Sequence, residues 1–434
     1  MDWAKSGLVG IRRYGFYVIA VAGFLVHGGT ALLRLNTFFP SPKLVDFGAF
    51  YASSSALRSG LSPYGLPEAW LAALCRTRDI PFRPPAVYNP PFWLWLVQPF
   101  TRLSYPWAAW CWTLLNLALL AWCVWELTRL AGCTAPFKRL LGAGLVLTFG
   151  PVFLDLTLGQ TSILLLAACL VVGQALARPS RTGVLTTGTA HGIAFGAKVF
   201  PLAWAGMLFL LRRWRMAVVS VLCSLLVILV GYAVAPEASA QYWSQTLLVR
   251  ITASSETPGI DDQSLISWLD RWLLPQEYSV PGLRVNELTR VTWTPPWPLS
   301  RTVSHALGYG LLSLMTAAVL YVAWRAPNDQ HHGAYFLWVL CMLILLPHME
   351  RYNHSLLLPA MAWLWARGSR QRGLVVIAYA LAGLARLNHL WVIALPAPWA
   401  PLATGFGVVA ALLLMGGVAV ALRQCSQPVM VTEP

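Results

Sequence analysis

The sequence predicts an all-α, polytopic membrane protein with about 10–12 transmembrane or re-entrant helices and two long outer loops. Three observations predict it. Only 11% of the residues are charged, against about 25% in an ordinary soluble domain. Apolar runs of about 17–25 residues recur from end to end, each long enough for a hydrocarbon core of about 30 Å. Basic residues gather in the short connections between the runs, as they do in cytoplasmic loops. Residues 1–434 therefore read as a single integral membrane domain. In a soluble chain the net charge of +15 would suggest nucleic acid; here topology accounts for it, and no nucleic-acid partner is expected.

The elements follow in order. Lys5, Arg12 and Arg13 precede an apolar run over 14–35. The run is long for a signal peptide and no small-residue cleavage site follows, so it reads as a retained first span. Further spans are expected at 105–129, 140–157, 161–177, 216–235, 303–324, 333–347, 354–366, 373–392 and 403–422. The segment 184–211 is interrupted by Gly196, Lys198 and Pro201, and basic loops flank it on both sides (Arg178 and Arg181; Arg212, Arg213 and Arg215). Both of its ends look cytoplasmic, so two short helices should rise and return with Lys198 near the turn. Such a break is tolerated where it lines a cavity.

With the N-terminus inside, the basic loops all fall on the inner side and the C-terminus joins them. The outer side receives the loops 36–104 and 236–302 and the short turns near 155–160 and 348–353. Of the 16 acidic residues, only Asp2, Glu126, Asp329 and Glu433 fall inside. Chemistry is therefore expected on the outer side. In the first outer loop, 47–59 and 68–76 have helical spacing, Ser62-Pro63-Tyr64-Gly65 is a turn, and 90–96 is an apolar helix too short to span. In the second, 264–274 has helical spacing. No internal repeat of the transporter kind is visible. The 22 Trp residues suit interfacial belts, and the eight Cys show neither metal-ligand nor disulfide spacing.

The polar residues that could carry chemistry are few. Asp46 stands just past the first span, in Asp46-Phe-Gly-Ala-Phe-Tyr51. It could act as a general base at the membrane surface, or simply cap a helix starting near Phe47. Tyr88 and Asn89 precede Pro90-Pro91, either to meet a sugar or to form a loop-to-helix junction. Asp155 and Gln160 form a polar island in a tight outer turn, and Asp155 needs a partner, with Lys198 or an outer Arg as candidates. Lys198 is the only lysine beyond Lys138; it should be ion-paired or bind an anion such as phosphate. Asp261, Asp262, Gln263 and Arg271 lie in the second outer loop with Arg284, Arg290 and Arg301, where solvated loop charges are the plainer reading. Pro347-His348-Met349-Glu350-Arg351-Tyr352-Asn353-His354 is denser in polar groups than a plain turn requires. Arg351 suits bidentate phosphate binding, and His348 or His354 could assist it.

Together these groups describe a site for an anionic, lipid-linked substrate. Phosphate would rest on Lys198, Arg351, Arg271 and His348, and a sugar or acceptor against Tyr51, Tyr64, Tyr88, Asn89, Gln160, Asp262, Gln263 and His354. The acceptor hydroxyl would meet Asp46. The composite requires Asp46, Lys198, Gln160 and Arg351 to converge on one outward-facing cavity.

The order of motifs resembles glycosyltransferase family 87 of the GT-C superfamily. The matching elements are Asp46-Phe-Gly-Ala-Phe-Tyr51 with Gly60-Leu-Ser-Pro-Tyr64, Tyr88-Asn89-Pro90-Pro91, Gly159-Gln160, Lys198-Val-Phe-Pro201 and Asp262-Gln263-Ser264. Pro347-His348 with Tyr352 looks like the family's late polar turn. The resemblance implies a GT-C-type fold, an active site at the outer face, and Asp46 as the base that deprotonates the acceptor. It implies an inverting transfer from a polyprenyl-phosphate sugar, mannose first and arabinofuranose as the alternative, to a glycolipid or envelope glycan. It implies no metal and no cofactor, and a bacterial plasma membrane with both termini cytoplasmic. Asp262 stands where many relatives carry Asn, and Asn353-His354 where acidic or aromatic residues are common, which leaves the sugar open. A transporter or flippase of a lipid-linked anion would use the same cations but tolerate loss of Asp46. A non-catalytic scaffold would explain neither Lys198 nor the late turn.

Overall fold

A computed structural model describes residues 18, 21–33, 35–39, 42–247, 262–281, 288–293, 295, 298–346, 348–387, 395 and 399–425. The expectations for Lys5, Arg12, Arg13, Asp261, Arg284 and Pro347 lie outside the described residues.

Helices dominate. In chain order they are α1 (Val21–Leu33), α2 (Val45–Arg58), α3 (Glu68–Arg78), α4 (Pro91–Val97), α5 (Tyr105–Leu130), α6 (Pro136–Thr148), α7 (Gly150–Leu158) and α8 (Ser162–Ala177). There follow α9 (Arg181–Ala197), α10 (Leu202–Leu210), α11 (Trp214–Val234), α12 (Pro236–Gln241) and α13 (Leu265–Leu273). The chain ends with α14 (Arg301–Trp324), α15 (His331–Leu345), α16 (Leu358–Trp365), α17 (Ser369–Leu384), α18 (Trp399–Thr404) and α19 (Phe406–Cys425). Among the described residues, α5, α11, α14 and α19 are each long and apolar enough to cross a membrane. On α11, Leu222, Leu226 and Leu229 are exposed, which suits hydrocarbon rather than water.

Three segments differ from the sequence reading. The run expected as one span at 140–157 is broken: α6 and α7 are together long and apolar enough to cross a membrane but meet at 56°. Pro151 explains the break, because it has no N–H for the Leu147 carbonyl and its ring would clash there. The expected span at 354–366 begins as a 3-10 turn, Arg351–Leu357, so α16 keeps only eight residues. The loop 236–302 carries an antiparallel pair, Gln276–Pro281 with Leu288–Trp293, Gln276 facing Trp293. The interruption falls where expected: α9 stops at Ala197, Lys198 is extended, and α10 starts after Pro201.

The chain divides into two compact units. One, the Asp46 unit, draws on residues 33–124 and 153–254; the other, the Asp262 unit, draws on 1–32, 125–152 and 255–434.

The core of the Asp46 unit is aromatic. Phe47, Phe50 and Tyr51 of α2 pack with Trp93 of α4 and with Tyr105 and Trp112 of α5, all nearly or fully buried. Phe47 stacks on Trp112 at 5.1 Å with 18° between the rings. The Ser54 hydroxyl donates to the Leu94 carbonyl at 2.8 Å and ties α2 to α4. Gly159, just past α7, has φ +72°, and a Cβ there would stand 2.7 Å from the Phe47 Cβ and 2.9 Å from the Leu44 Cβ. Both the left-handed backbone and the contact demand glycine. We expect Gly159→Ala to cost about 1–3 kcal/mol and to displace the start of α2, lowering the melting temperature of the purified protein.

Candidate active site

Asp46 lies in the first turn of α2, which starts at Val45. It is not the helix cap that its place in the sequence suggested: Leu44 holds the cap position, and no side chain caps the helix. The carboxylate turns to another element, and Gln160 Nε2 donates to Asp46 Oδ2 at 2.8 Å. Among the described residues Oδ1 has no hydrogen-bond partner, and neither does the buried Gln160 Oε1. The Asp46–Gln160 pair therefore presents two acceptor atoms with no donor of their own.

The start of α2 and the Gly159-Gln160 turn are both fixed. The Tyr105 hydroxyl donates to the Leu44 carbonyl at 2.8 Å, immediately before α2. Trp112 Nε1 donates to the Gly159 carbonyl at 3.0 Å, immediately before Gln160. The Gly159 and Gln160 amides both donate to the Asp155 carbonyl, at 2.9 and 3.0 Å. The Asp155 carboxylate accepts from the Ser162 amide at 2.8 Å and the Ile163 amide at 3.3 Å, so it serves the open N-terminus of α8. Lys198 is half-buried, and its charge acts on both Asp46 and Asp155.

Burial pushes the Asp46 carboxyl above the usual carboxylate value, while the Gln160 hydrogen bond and the Lys198 charge pull the other way without cancelling it. A carboxylate raised in this way is a stronger base than a solvated one.

The other expected contacts of this unit are mostly spent on the chain. The Tyr51 hydroxyl donates to the Leu103 carbonyl at 2.7 Å, and the Tyr64 hydroxyl to the Asn89 carbonyl at 2.8 Å. Burial pushes both phenols up, so both remain neutral donors. Asn89 Nδ2 donates to the Ala197 carbonyl at 2.8 Å, which ties the Tyr88-Asn89-Pro90 junction to the end of α9 beside Lys198. Tyr88 is exposed. Asn89 thus fills the junction role, and only Tyr88 presents a large open surface.

In the Asp262 unit, the residues read as loop charges form a buried hub. Asp262 is 7% exposed and uses both carboxylate oxygens. Oδ1 accepts from the Ser264 amide at 2.9 Å and the Met349 amide at 3.1 Å. Oδ2 accepts from the Ser267 hydroxyl at 2.8 Å and lies 3.3 Å from His348 Nδ1. Burial raises the Asp262 carboxyl, but His348 and these amide and hydroxyl donors outweigh it and hold it below the usual range. Gln263 donates to the Thr404 carbonyl at 2.9 Å and accepts from the Gly407 amide at 3.2 Å. Arg271 is 3% exposed and donates to the Asp262 carbonyl at 3.0 Å. His354 is 2% exposed, packed so closely that a Cβ at Gly407 would meet its ring at 2.6 Å. Arg351 is half-buried, with Nη1 3.4 Å from the Ala385 carbonyl.

Asp262 and Gln263 are therefore buried and bonded to the chain itself, whereas the expectation for both was contact with a sugar. Nor does the structure bring every predicted residue together within one unit: Asp46, Gln160 and Lys198 belong to one, Arg351 to the other. Sequence reasoning missed Tyr105 and Trp112 as supports, because bonds 61 and 47 residues apart leave no local pattern. Among the described residues no group of three or more His, Cys, Asp or Glu could hold a metal ion.

No curated protein matches the chain significantly. The family model for glycosyltransferase family 87 does, over residues 88–349. The match takes in Tyr88, Asn89, Gln160, Lys198 and the Asp262 hub, and begins downstream of Asp46. Covering more than half of a chain of membrane-spanning helices, it shows that the protein belongs to glycosyltransferase family 87 and is a membrane glycosyltransferase.

Proposed function

We propose that the protein transfers a sugar, mannose first, from a polyprenyl-phosphate donor to an acceptor hydroxyl on the outer face of the membrane, with Asp46 as general base. The observation that carries this reading is the Asp46–Gln160 pair, with one carboxylate oxygen and the amide oxygen both lacking donors. An acceptor hydroxyl donates to Asp46 Oδ1, and a neighbouring hydroxyl of the same sugar donates to Gln160 Oε1. The acceptor oxygen forms its bond to the anomeric carbon as the bond to the donor phosphate breaks. The electron pair leaves with polyprenyl phosphate, the proton passes to Asp46, and the configuration inverts. Lys198, whose charge already acts at Asp46, is the cation assigned to the leaving phosphate.

The direct test is transfer by purified protein, comparing polyprenyl-phospho-mannose with polyprenyl-phospho-arabinose and reading the product's anomeric configuration by NMR. Product of retained configuration would sink the single-displacement scheme, and turnover only with the arabinose donor would replace mannose.

Gln160 is a positioning residue, and its test is a pH profile. Its hydrogen bond lowers the Asp46 pKa, so Gln160→Ala raises it further and moves the acid limb of kcat/KM to higher pH. Gln160→Glu adds a like charge and moves the limb further in the same direction. An acid limb unmoved in both variants means that Asp46 is not the titrating base.

A further inference from the structure

At the opposite end of α2 from Asp46, about 18 Å along the axis at 1.5 Å per residue, a cleft of about 400 Å³ opens between α2 and α3. Arg58 from α2, Arg78 and Trp70 from α3, Ser59, Thr77 and Thr101 line it, with no carboxylate among the lining residues. Among the described residues neither Arg58 nor Arg78 makes an ion pair, and Asp79, next in sequence to Arg78, bridges to neither. An arginine in the last turn of a helix complements that helix's dipole. Here two such arginines from different helices line one cleft, a concentration of positive charge that an anion would neutralise.

The hydroxyls refine the ligand. Ser59 Oγ donates to the Ser55 carbonyl at 3.0 Å, Thr77 Oγ1 to the Ala73 carbonyl at 3.0 Å and Thr101 Oγ1 to the Gln98 carbonyl at 2.7 Å. As placed, each donates to a backbone carbonyl within its own segment and leaves its lone pairs to accept from a donor in the cleft. The guanidinium groups only donate. A ligand that satisfies both carries an anionic acceptor and several hydroxyl donors, and the Trp70 ring offers a flat apolar face beside them. We infer that this cleft binds a phosphorylated polyol, the phosphate on Arg58 and Arg78 and the polyol hydroxyls on Ser59 and Thr77. The volume suits such a headgroup, since ligand sites span about 300–1,000 Å³. The assignment does not depend on the transfer reaction.

Full-length protein in phosphatidylcholine nanodiscs is titrated by calorimetry with glycerol 1-phosphate, inorganic phosphate and glycerol. Glycerol 1-phosphate is expected to bind about ten-fold more tightly than phosphate, and glycerol not measurably, since both halves of the ligand contribute. Arg58→Gln with Arg78→Gln should weaken glycerol 1-phosphate about ten-fold or more, while Arg102→Gln, outside the cleft, should not. Equal affinity for the two anions, or undiminished binding to the double variant, overturns the assignment. Should the double variant fold poorly, the wild type decides by ionic strength: binding must weaken as salt rises, and salt-independent binding overturns it. Repeating the titration in nanodiscs containing phosphatidylglycerol separates the sources. Competition identifies a lipid headgroup as the ligand, and its absence a free polyol phosphate.

Discussion

Asp46→Asn is expected to lower transfer by about 10²–10⁴-fold while leaving the fold intact. The amide is close in shape to the carboxylate, and Gln160 Nε2 can still donate to its oxygen as it does to Asp46 Oδ2 at 2.8 Å. What changes is the atom offered to the acceptor: an oxygen without a donor becomes an NH₂ group, which cannot take a proton. The pKa direction adds a second, independent readout. A carboxyl whose folded pKa is raised contributes stability below its unfolded pKa and loses it as pH rises through the folded value. Burial raises Asp46 in this way, so at neutral pH the ionised group costs stability that a neutral amide restores. Loss of turnover should therefore come with an unchanged or higher melting temperature, the mark of a residue kept for chemistry rather than for the fold. The wild-type acid limb should also lie above the range of a solvated aspartate. Full activity in the variant would remove Asp46 as the base and return the transporter reading to consideration; a large fall in melting temperature would assign it a structural role instead.

The helices of the loop 36–104 were legible because their signals are local. Spacing predicted 47–59 and 68–76, and the helices run Val45–Arg58 and Glu68–Arg78. The cap reading of Asp46 failed by a small displacement with a large consequence. The Tyr105 hydroxyl takes the Leu44 carbonyl, the helix starts at Val45, and the carboxylate is left to meet Gln160, 114 residues away. No periodicity carries such a pair; only the ordered motifs hinted that Asp46 and Gln160 share a task. The bend between α6 and α7 had its signal in Gly150-Pro151, which continuous apolar character masked. The strand Leu288–Trp293 had one as well, in the alternation of Leu288-Thr289-Arg290-Val291-Thr292-Trp293, but a loop rich in Pro and charge concealed it. The Asp262 hub was half legible. An aspartate bonding the amide two residues on is ordinary turn chemistry, whereas its bond to Met349, 87 residues away, is purely tertiary.

That hub supports the second large prediction. Asp262→Ala should destabilise the protein by about 3–5 kcal/mol, because it removes the acceptor for four donors at once, three of them buried. The Ser264 and Met349 amides, the Ser267 hydroxyl and His348 would all lose a partner where water does not readily replace it. A sugar-binding role predicts something different: a raised KM with the melting temperature unchanged. Melting of the purified variant beside its kinetics separates the two, and a stable variant with only a raised KM would restore Asp262 to the sugar. The pH dependence follows from the depressed pKa. Such a carboxyl contributes stability above its unfolded pKa and loses it as pH falls through the folded value. The hub should therefore hold through mildly acidic conditions and fail only below the ordinary aspartate range. His348→Ala removes one of the four donors and should cost less than Asp262→Ala. The double variant should cost little more than Asp262→Ala alone, because both changes break the same contact. Full additivity would mean that His348 and Asp262 act independently, and the link between the loop 236–302 and the late turn would then rest on the Gln263 amide's bond to the Met349 carbonyl and the Met349 amide's bond to Asp262 Oδ1.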